Sequence, residues 1–363
     1  YVWIIVRPLH NISVDKRTTE MFRDHIVKQT NGFRVIEGDI MVKDLGIKES
    51  IVDELKGNEV MFWHLAANLS FAAENRADVQ ETNYTGTVHA VEFANKVAKK
   101  FMHMSTAYVC GNATSFREDE VYKGQKPRNH YERSKLEAEK YVRDKCKLPF
   151  IIFRPSVIIG DAYRGKAEGC TFGYYRYAFM FYFLKKQIIK TLQGNGLAAF
   201  CLRIFGTRHN RIDGTVVTPW LIFPCPKNGR VNMVPVDYVI RTMIMLYEKK
   251  LQNTAVHLTH PNPPAFRFLH HSVLYDLGLR GTKLIPVPAW MFRVIIHSFY
   301  FLAVPVRKYI ASVMWYVPYF TETCKFDRSI IEQYAENPPE ISRELMSAVN
   351  AYARENILEH IKL

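Results

Sequence analysis

Tyr131 and Lys135 stand one helical turn apart, and Ser105 and Thr106 precede Tyr131 by 26 and 25 residues. A phenol with a pKa near 10 is a weak acid–base catalyst at neutral pH. An ammonium on the same helix face favours the phenolate and lowers that pKa. Tyr131 is then suited to exchange a proton with a carbonyl oxygen. A hydroxyl from Thr106 or Ser105 would hydrogen-bond that oxygen and orient it. Asn83 lies upstream within Asn83-Tyr84-Thr85-Gly86-Thr87. The Tyr-x-x-x-Lys spacing alone also occurs on helices that only pack, so its surroundings decide its meaning.

Those surroundings read as alternating strands and helices. Apolar, β-branched runs at 1–6, 33–37, 60–65, 101–105 and 150–153 predict strands, and 13–30, 76–99 and 132–145 predict helices. Arg7-Pro8 and Arg154-Pro155 close two of the strands, since proline cannot continue a central strand. Alternation of this kind implies βαβ units and a parallel sheet. Unbroken apolar strands fit a sheet covered on both faces. Ligands in such folds bind beyond the carboxyl ends of the strands, which points to Arg7, Asp39, Ala66, Ser105 and Pro155. The expected fold is α/β, a Rossmann-type doubly wound parallel sheet with an α-rich substrate and C-terminal part.

The quoted residues resemble the extended short-chain dehydrogenase/reductase superfamily. The resemblance rests on Gly38-Asp39-Ile40, His64-Leu65-Ala66-Ala67, Asn83-Tyr84-Thr85-Gly86-Thr87, Met104-Ser105-Thr106-Ala107-Tyr108-Val109, Tyr131-Glu132-Arg133-Ser134-Lys135 and Phe153-Arg154-Pro155-Ser156-Val157, in that order. The chain looks most like the fatty acyl-CoA reductase and thioester reductase branch, to which Pro235-Val236-Asp237-Tyr238-Val239 is also similar. The resemblance implies catalytic roles for Tyr131 as proton donor, Lys135 as its pKa partner and ribose ligand, Thr106 with Ser105 beside it on the carbonyl, and Asn83 on a relay water. It implies NADPH as cofactor. Arg7 would meet the 2′-phosphate, as a guanidinium suits a phosphate. Asp39 and Ile40 would meet the adenine. Leu65, Ala66 and Ala67 would line the cofactor, and Pro155, Ser156 and Val157 would border the nicotinamide.

One departure matters. The family opens on a strand and a glycine-rich turn that cradles the pyrophosphate. Here Tyr1 appears where the second strand begins, so we expect the sequence to be an incomplete record of a longer protein.

Composition bounds the remainder. The 363 residues are 48% apolar and 23% charged, with a net charge of +14. This is a folded globular balance with an excess that attracts anions: nucleic acid, anionic lipid or phosphorylated ligands. No nucleic-acid signature accompanies it. The six cysteines are at least 24 residues apart, which excludes a Cys-x-x-Cys site and favours a reducing compartment. His270-His271 lacks a third ligand of suitable spacing, so no metal site is read. His64, at a strand end, reads as a packed histidine.

The domain reading is 1–158 for the NADP-binding part, with 215–260 contributing to it. Residues 159–214 and 261–363 form a substrate-binding, membrane-associated part. Eight of the twelve residues 172–183 are aromatic, and 284–321 holds only three charges, Arg293, Arg307 and Lys308. These runs suggest an acyl pocket or a peripheral lipid contact. Their charge-free segments of 13 residues are too short to span a bilayer. The function expected is NADPH-dependent reduction of a long-chain fatty acyl-CoA or acyl-carrier thioester to aldehyde or alcohol. The rivals are a hydroxysteroid or other lipid dehydrogenase, and a non-catalytic lipid-binding pseudoenzyme. The expected location is the cytoplasm or the cytoplasmic face of an intracellular membrane, with oligomeric state open.

Overall fold

A computed structural model describes residues 1–8, 12–21, 32–302 and 314–361. The chain divides into two compact units. The first comprises Tyr1–Val109, Asn129–Phe153 and Lys250–Ala255, and the second comprises Cys110–Arg128, Arg154–Lys249 and Val256–Leu363.

The first unit is built on parallel strands. Val2–Val6 pairs with Phe33–Glu37, in a register that ends with Val6 opposite Glu37. A second ladder runs in the order Val60–His64, Ala98–Met104, Phe150–Pro155, and this unit takes the third strand as far as Phe153. Phe101, Met102, Ile151, Ile152 and Phe153 are fully buried, as strands covered on both faces must be. Each such side chain contributes about 1.5–3 kcal/mol on burial. Among the described residues, no ladder joins the two sets of strands. One apolar cluster nevertheless packs on both: Ile36, Val52, Ala90, Phe93 and Phe101, with Trp3 and Ile5 from one set and Val60 and Phe62 from the other. The packing is continuous where the hydrogen bonding is interrupted. The mixed α/β architecture with a parallel central sheet is of Rossmann type.

Two helices of this unit carry the chemistry. The helix expected over 76–99 is divided into Arg76–Gln80, a π-helical turn Glu81–Thr85, and Gly86–Val97, and Ala98 already opens the next strand. Gly86 lets Ile40 pack against the junction, where a Cβ would sit 2.8 Å from Ile40 Cδ1. The helix His130–Lys145 starts at the Asn129 cap, whose side chain accepts from Glu132 N at 2.9 Å. Its buried face includes Glu132, Ser134, Lys135 and Glu139. Four polar residues on a buried face must each be satisfied, and that demand builds the site described below. The helix expected over 13–30 is seen at Val14–Met21; residues 22–31 lie outside the described residues.

The second unit holds the strand pairs Val157–Ile159 with Met233–Pro235, Ile222–Pro226 with Lys283–Val287, and Ser115–Phe116 with Lys325–Phe326. Its helices include Tyr174–Gln193, Val236–Glu248, Phe266–Asp276 and Arg343–Asn356. The aromatic run 172–183 packs inward, and none of its rings is exposed. Tyr177 stands 5.2–5.6 Å, centroid to centroid, from Phe181, Phe320 and Phe266. The hydroxyls are assigned too: Tyr174 Oη donates to Asn350 Oδ1 at 2.6 Å, and Tyr175 Oη accepts from Gly160 N at 2.8 Å. A buried polar network ties other segments of this unit. Glu118 accepts from His257 N at 2.8 Å and Ile330 N at 2.9 Å, and fully buried Arg154 donates to the carbonyls of Arg117, Glu118 and Glu120. The low-charge stretch 284–321 forms the helix Ala289–Leu302 and the short helix Val317–Thr321; residues 303–313 lie outside the described residues. Among the described residues, no helix is long and apolar enough to cross a membrane.

Candidate active site

The site forms at the carboxyl edge of the first unit's strands. Parallel register puts His64 opposite His103, so Leu65–Ala67 and Ser105–Thr106 leave the sheet side by side. Tyr131 enters from the first turn of His130–Lys145. Its phenol shares a hydrogen bond with Thr106 and packs against Phe71 at 5.4 Å between ring centroids. Burial and the Glu132 carboxylate push the phenol above its usual pKa, against a smaller pull from Thr106. Tyr131 is therefore held protonated, as a proton donor must be.

Lys135 is 1% exposed, and its Nζ donates to Met104 O at 2.5 Å. Burial lowers its pKa to about 8, with Glu139 pulling back. The ammonium was expected to bring the Tyr131 pKa down. In this geometry burial and the Glu132 carboxylate set the phenol's direction instead, and the lysine's bond goes to a strand-end carbonyl.

Asn83 sits in the π-helical turn, a local widening often found at functional positions. Its Nδ2 donates to Ser134 Oγ and to Asn68 O, both at 3.0 Å, and its Oδ1 accepts from Asn68 N at 2.7 Å. Asn83 thus links the helix carrying Tyr131 and Lys135 to the loop after His64. Ser105 parts from Thr106: its Oγ donates to Glu139 Oε2 at 2.9 Å, and Glu139 is fully buried. Thr106 is the hydroxyl that meets Tyr131, and Ser105 anchors the strand end to the helix. Sequence reasoning missed Asn68, Ser134 and Glu139 in these roles. The only local signal was that Glu139 follows Lys135 by one turn. His64 is buried, bonded to Thr87 Oγ1 at 3.0 Å and stacked on His103 at 5.4 Å. Burial, with the Lys135 charge nearby, takes its pKa down to about 3, so it stays neutral.

The remaining residues assigned to the cofactor are arranged differently. Arg7 is exposed, just past Val2–Val6. Asp39 Oδ1 accepts from Met41 N at 2.9 Å, so its carboxylate closes a turn. Ile40 packs on Gly86, and its carbonyl bonds His89 Nδ1 at 2.8 Å. Leu65 and Ala66 are exposed and Ala67 is half-buried. Pro155, Ser156 and Val157 belong to the second unit: Ser156 N donates to Leu258 O at 3.2 Å, and Val157 pairs with Met233. All six cysteines are free thiols. Among the described residues, no three His, Cys, Asp or Glu side chains converge as metal ligands would.

A parallel sheet with Thr, Tyr, Lys and Asn gathered at its carboxyl edge defines a nicotinamide-dependent oxidoreductase. Residues 1–243 match the NAD-binding family described as Male sterility protein. The chain belongs to that family, within the extended short-chain dehydrogenase/reductase superfamily.

Solved structures share the fold. The terminal R domain from the myxalamid PKS-NRPS biosynthetic pathway is 16% identical, with a TM-score of 0.68 over 97% of this chain and 84% of that one. A thiolation-reductase di-domain from an archaeal non-ribosomal peptide synthetase is 15% identical, with a TM-score of 0.66 over 97% and 69%. RMD from Pseudomonas aeruginosa, solved with NADPH, is 13% identical, with a TM-score of 0.55 over 97% and 99%. No curated protein sequence matches the chain.

The two ends of the site answer differently to a nicotinamide dinucleotide. At the ribose and nicotinamide end, Lys135 and Tyr131 supply the donors that hydroxyls and a reacting carbonyl need. At the other end, Arg7, Leu65 and Ala66 stand exposed to solvent.

Proposed function

We propose that this protein reduces a long-chain fatty acyl thioester with NADPH. The observation that carries the reading is the Tyr131 phenol kept protonated beside the Thr106 hydroxyl, on the helix that also carries Lys135 and that Asn83 holds through Ser134. The thioester assignment draws on the family and on the fold shared with two reductase domains of carrier-linked synthetases.

The bound cofactor supplies a hydride for the carbonyl carbon. Thr106 orients the carbonyl oxygen. Tyr131 gives that oxygen its proton, which yields a hemithioacetal. Loss of the thiol from that adduct leaves the aldehyde. Lys135 would hold the ribose hydroxyls, and with Asn83 it would return a proton to Tyr131 through water. Arg7 would meet the 2′-phosphate and favour NADPH over NADH.

The test supplies the protein, with any upstream residues its gene encodes, with long-chain acyl-CoA and with a hydroxysteroid, each beside NADPH and NADH. Free thiol appearing as NADPH is consumed supports the proposal. Steroid turnover without thiol release would replace it with the dehydrogenase reading. NADPH binding with neither turnover would also refute it.

A further inference from the structure

The second unit exposes an apolar face on a short helix. The helix Leu197–Ile204 buries only Ala199. Leu197, Phe200, Ile204 and the following Phe205 are 79%, 57%, 65% and 62% exposed. Positions 197, 200, 201 and 204 fall on one side of a helix, so its apolar stripe faces outward. A helix normally turns such a stripe to the core.

The face continues through named contacts. Thr207 follows the helix and accepts from Trp220 Nε1 at 2.7 Å. Leu221 O accepts from Lys283 N at 3.0 Å, and Ile222 pairs with Lys283 and Pro224 with Ile285. Ile222, Pro224, Lys283 and Ile285 therefore share one face of that strand pair, and Ile222 and Ile285 are 49% and 47% exposed.

Charge narrows the occupant. Residues 185–222 contain six basic residues and a single acidic one, Asp213. Lys190, Arg208, Arg211 and Lys283 are exposed and take part in no ion pair among the described residues. Arg203 is folded back onto the carbonyls of Leu192 and Gly194, which leaves the outward stripe of its helix uncharged. An apolar stripe with an indole at its border, framed by free cations, suits the boundary between phosphate headgroups and acyl chains. A protein partner of ordinary composition would call for both signs of charge on this face.

We propose that this face rests on an anionic phospholipid surface, with Leu197, Phe200, Ile204 and Phe205 entering the acyl boundary and Arg208, Arg211 and Lys283 on the phosphates. It lies apart from the aromatic run 172–183, which the fold encloses. The inference does not depend on the thioester reading.

The test is co-sedimentation of the whole protein with phosphatidylcholine vesicles, with and without phosphatidylglycerol. Wild type should pellet with the anionic vesicles and bind the neutral ones weakly. Phe200→Asp with Ile204→Asp should lower binding about tenfold or more, with the circular-dichroism melting curve unchanged because both side chains are exposed. Arg208→Glu with Arg211→Glu should remove the preference for anionic lipid. Undiminished binding by the Phe200/Ile204 variant overturns the proposal. So does wild type that binds neither vesicle, or wild type that sediments as a dimer which that variant dissociates, since the face would then belong to a second copy.

Discussion

The two ends of the first unit's carboxyl edge are built in different ways. Around Tyr131 every functional side chain is hydrogen-bonded: Thr106 to Tyr131, Lys135 to Met104 O, Asn83 to Asn68 O and Ser134, Ser105 to Glu139. Around Arg7 and Leu65 the side chains stand in solvent, and Asp39 and Ile40 are spent on a turn and on packing. On the proposed function, the first end fixes its groups before any ligand arrives, as catalysis by positioning requires. On the same reading, the second end contributes binding through exposed groups. Mutations at the two ends should therefore fail in different kinetic constants.

Tyr131→Phe should give the largest effect, a loss of roughly 10²–10⁴ in kcat from removal of the acid, with NADPH affinity nearly unchanged. A variant of equal kcat would erase the contrast between the ends. Asn83→Leu should come next. It breaks three hydrogen bonds at a buried position and should lower kcat more than it raises KM, alongside a stability loss of about 1–3 kcal/mol measured by urea unfolding.

Lys135 sharpens the same point through pH. A free lysine titrates near 10.5 and this one at about 8. The charged form holds the site, so kcat/KM should fall about tenfold per pH unit above 8. Stability should move the opposite way. Between pH 8 and 10.5 the unfolded chain holds the proton and the folded chain does not, so this group's contribution rises with pH. A Lys135→Met variant should lose both slopes.

Arg7→Ala should have the smallest effect: a rise of about tenfold or less in KM for NADPH, none for NADH, and an unchanged kcat. A kcat effect there would mean that the exposed end also takes part in the chemistry. Glu118→Gln, in the second unit, serves as a control outside the site. It sets an amide donor against the His257 or Ile330 N–H, and it should cost about 1–3 kcal/mol in stability with no change in kcat per folded molecule.

The contrast also governs what could be read from sequence. The placement of Tyr131, Lys135, Thr106 and Asn83 at one sheet edge could be read from spacing, because strand-end and helix-turn positions are local. Their supports could not: Ser105 and Glu139 are 34 residues apart, and Asn68 and Asn83 are 15 apart. No periodicity encodes such pairs. The parallel sheet was legible from unbroken apolar strands. The run 172–183 suggested a lipid surface, yet Phe266, Phe320 and Asn350, far along the chain, enclose it. The face that is exposed, at Leu197–Phe205, is too short to stand out by composition.

The central claim is that Tyr131 delivers the proton of a thioester reduction. The most direct measurement compares wild type with Tyr131→Phe, following thiol release from long-chain acyl-CoA and NADPH binding on the same samples. The account predicts thiol release coupled to NADPH oxidation in wild type, and a variant that binds NADPH but releases no thiol above background. Equal thiol release by the variant would contradict it.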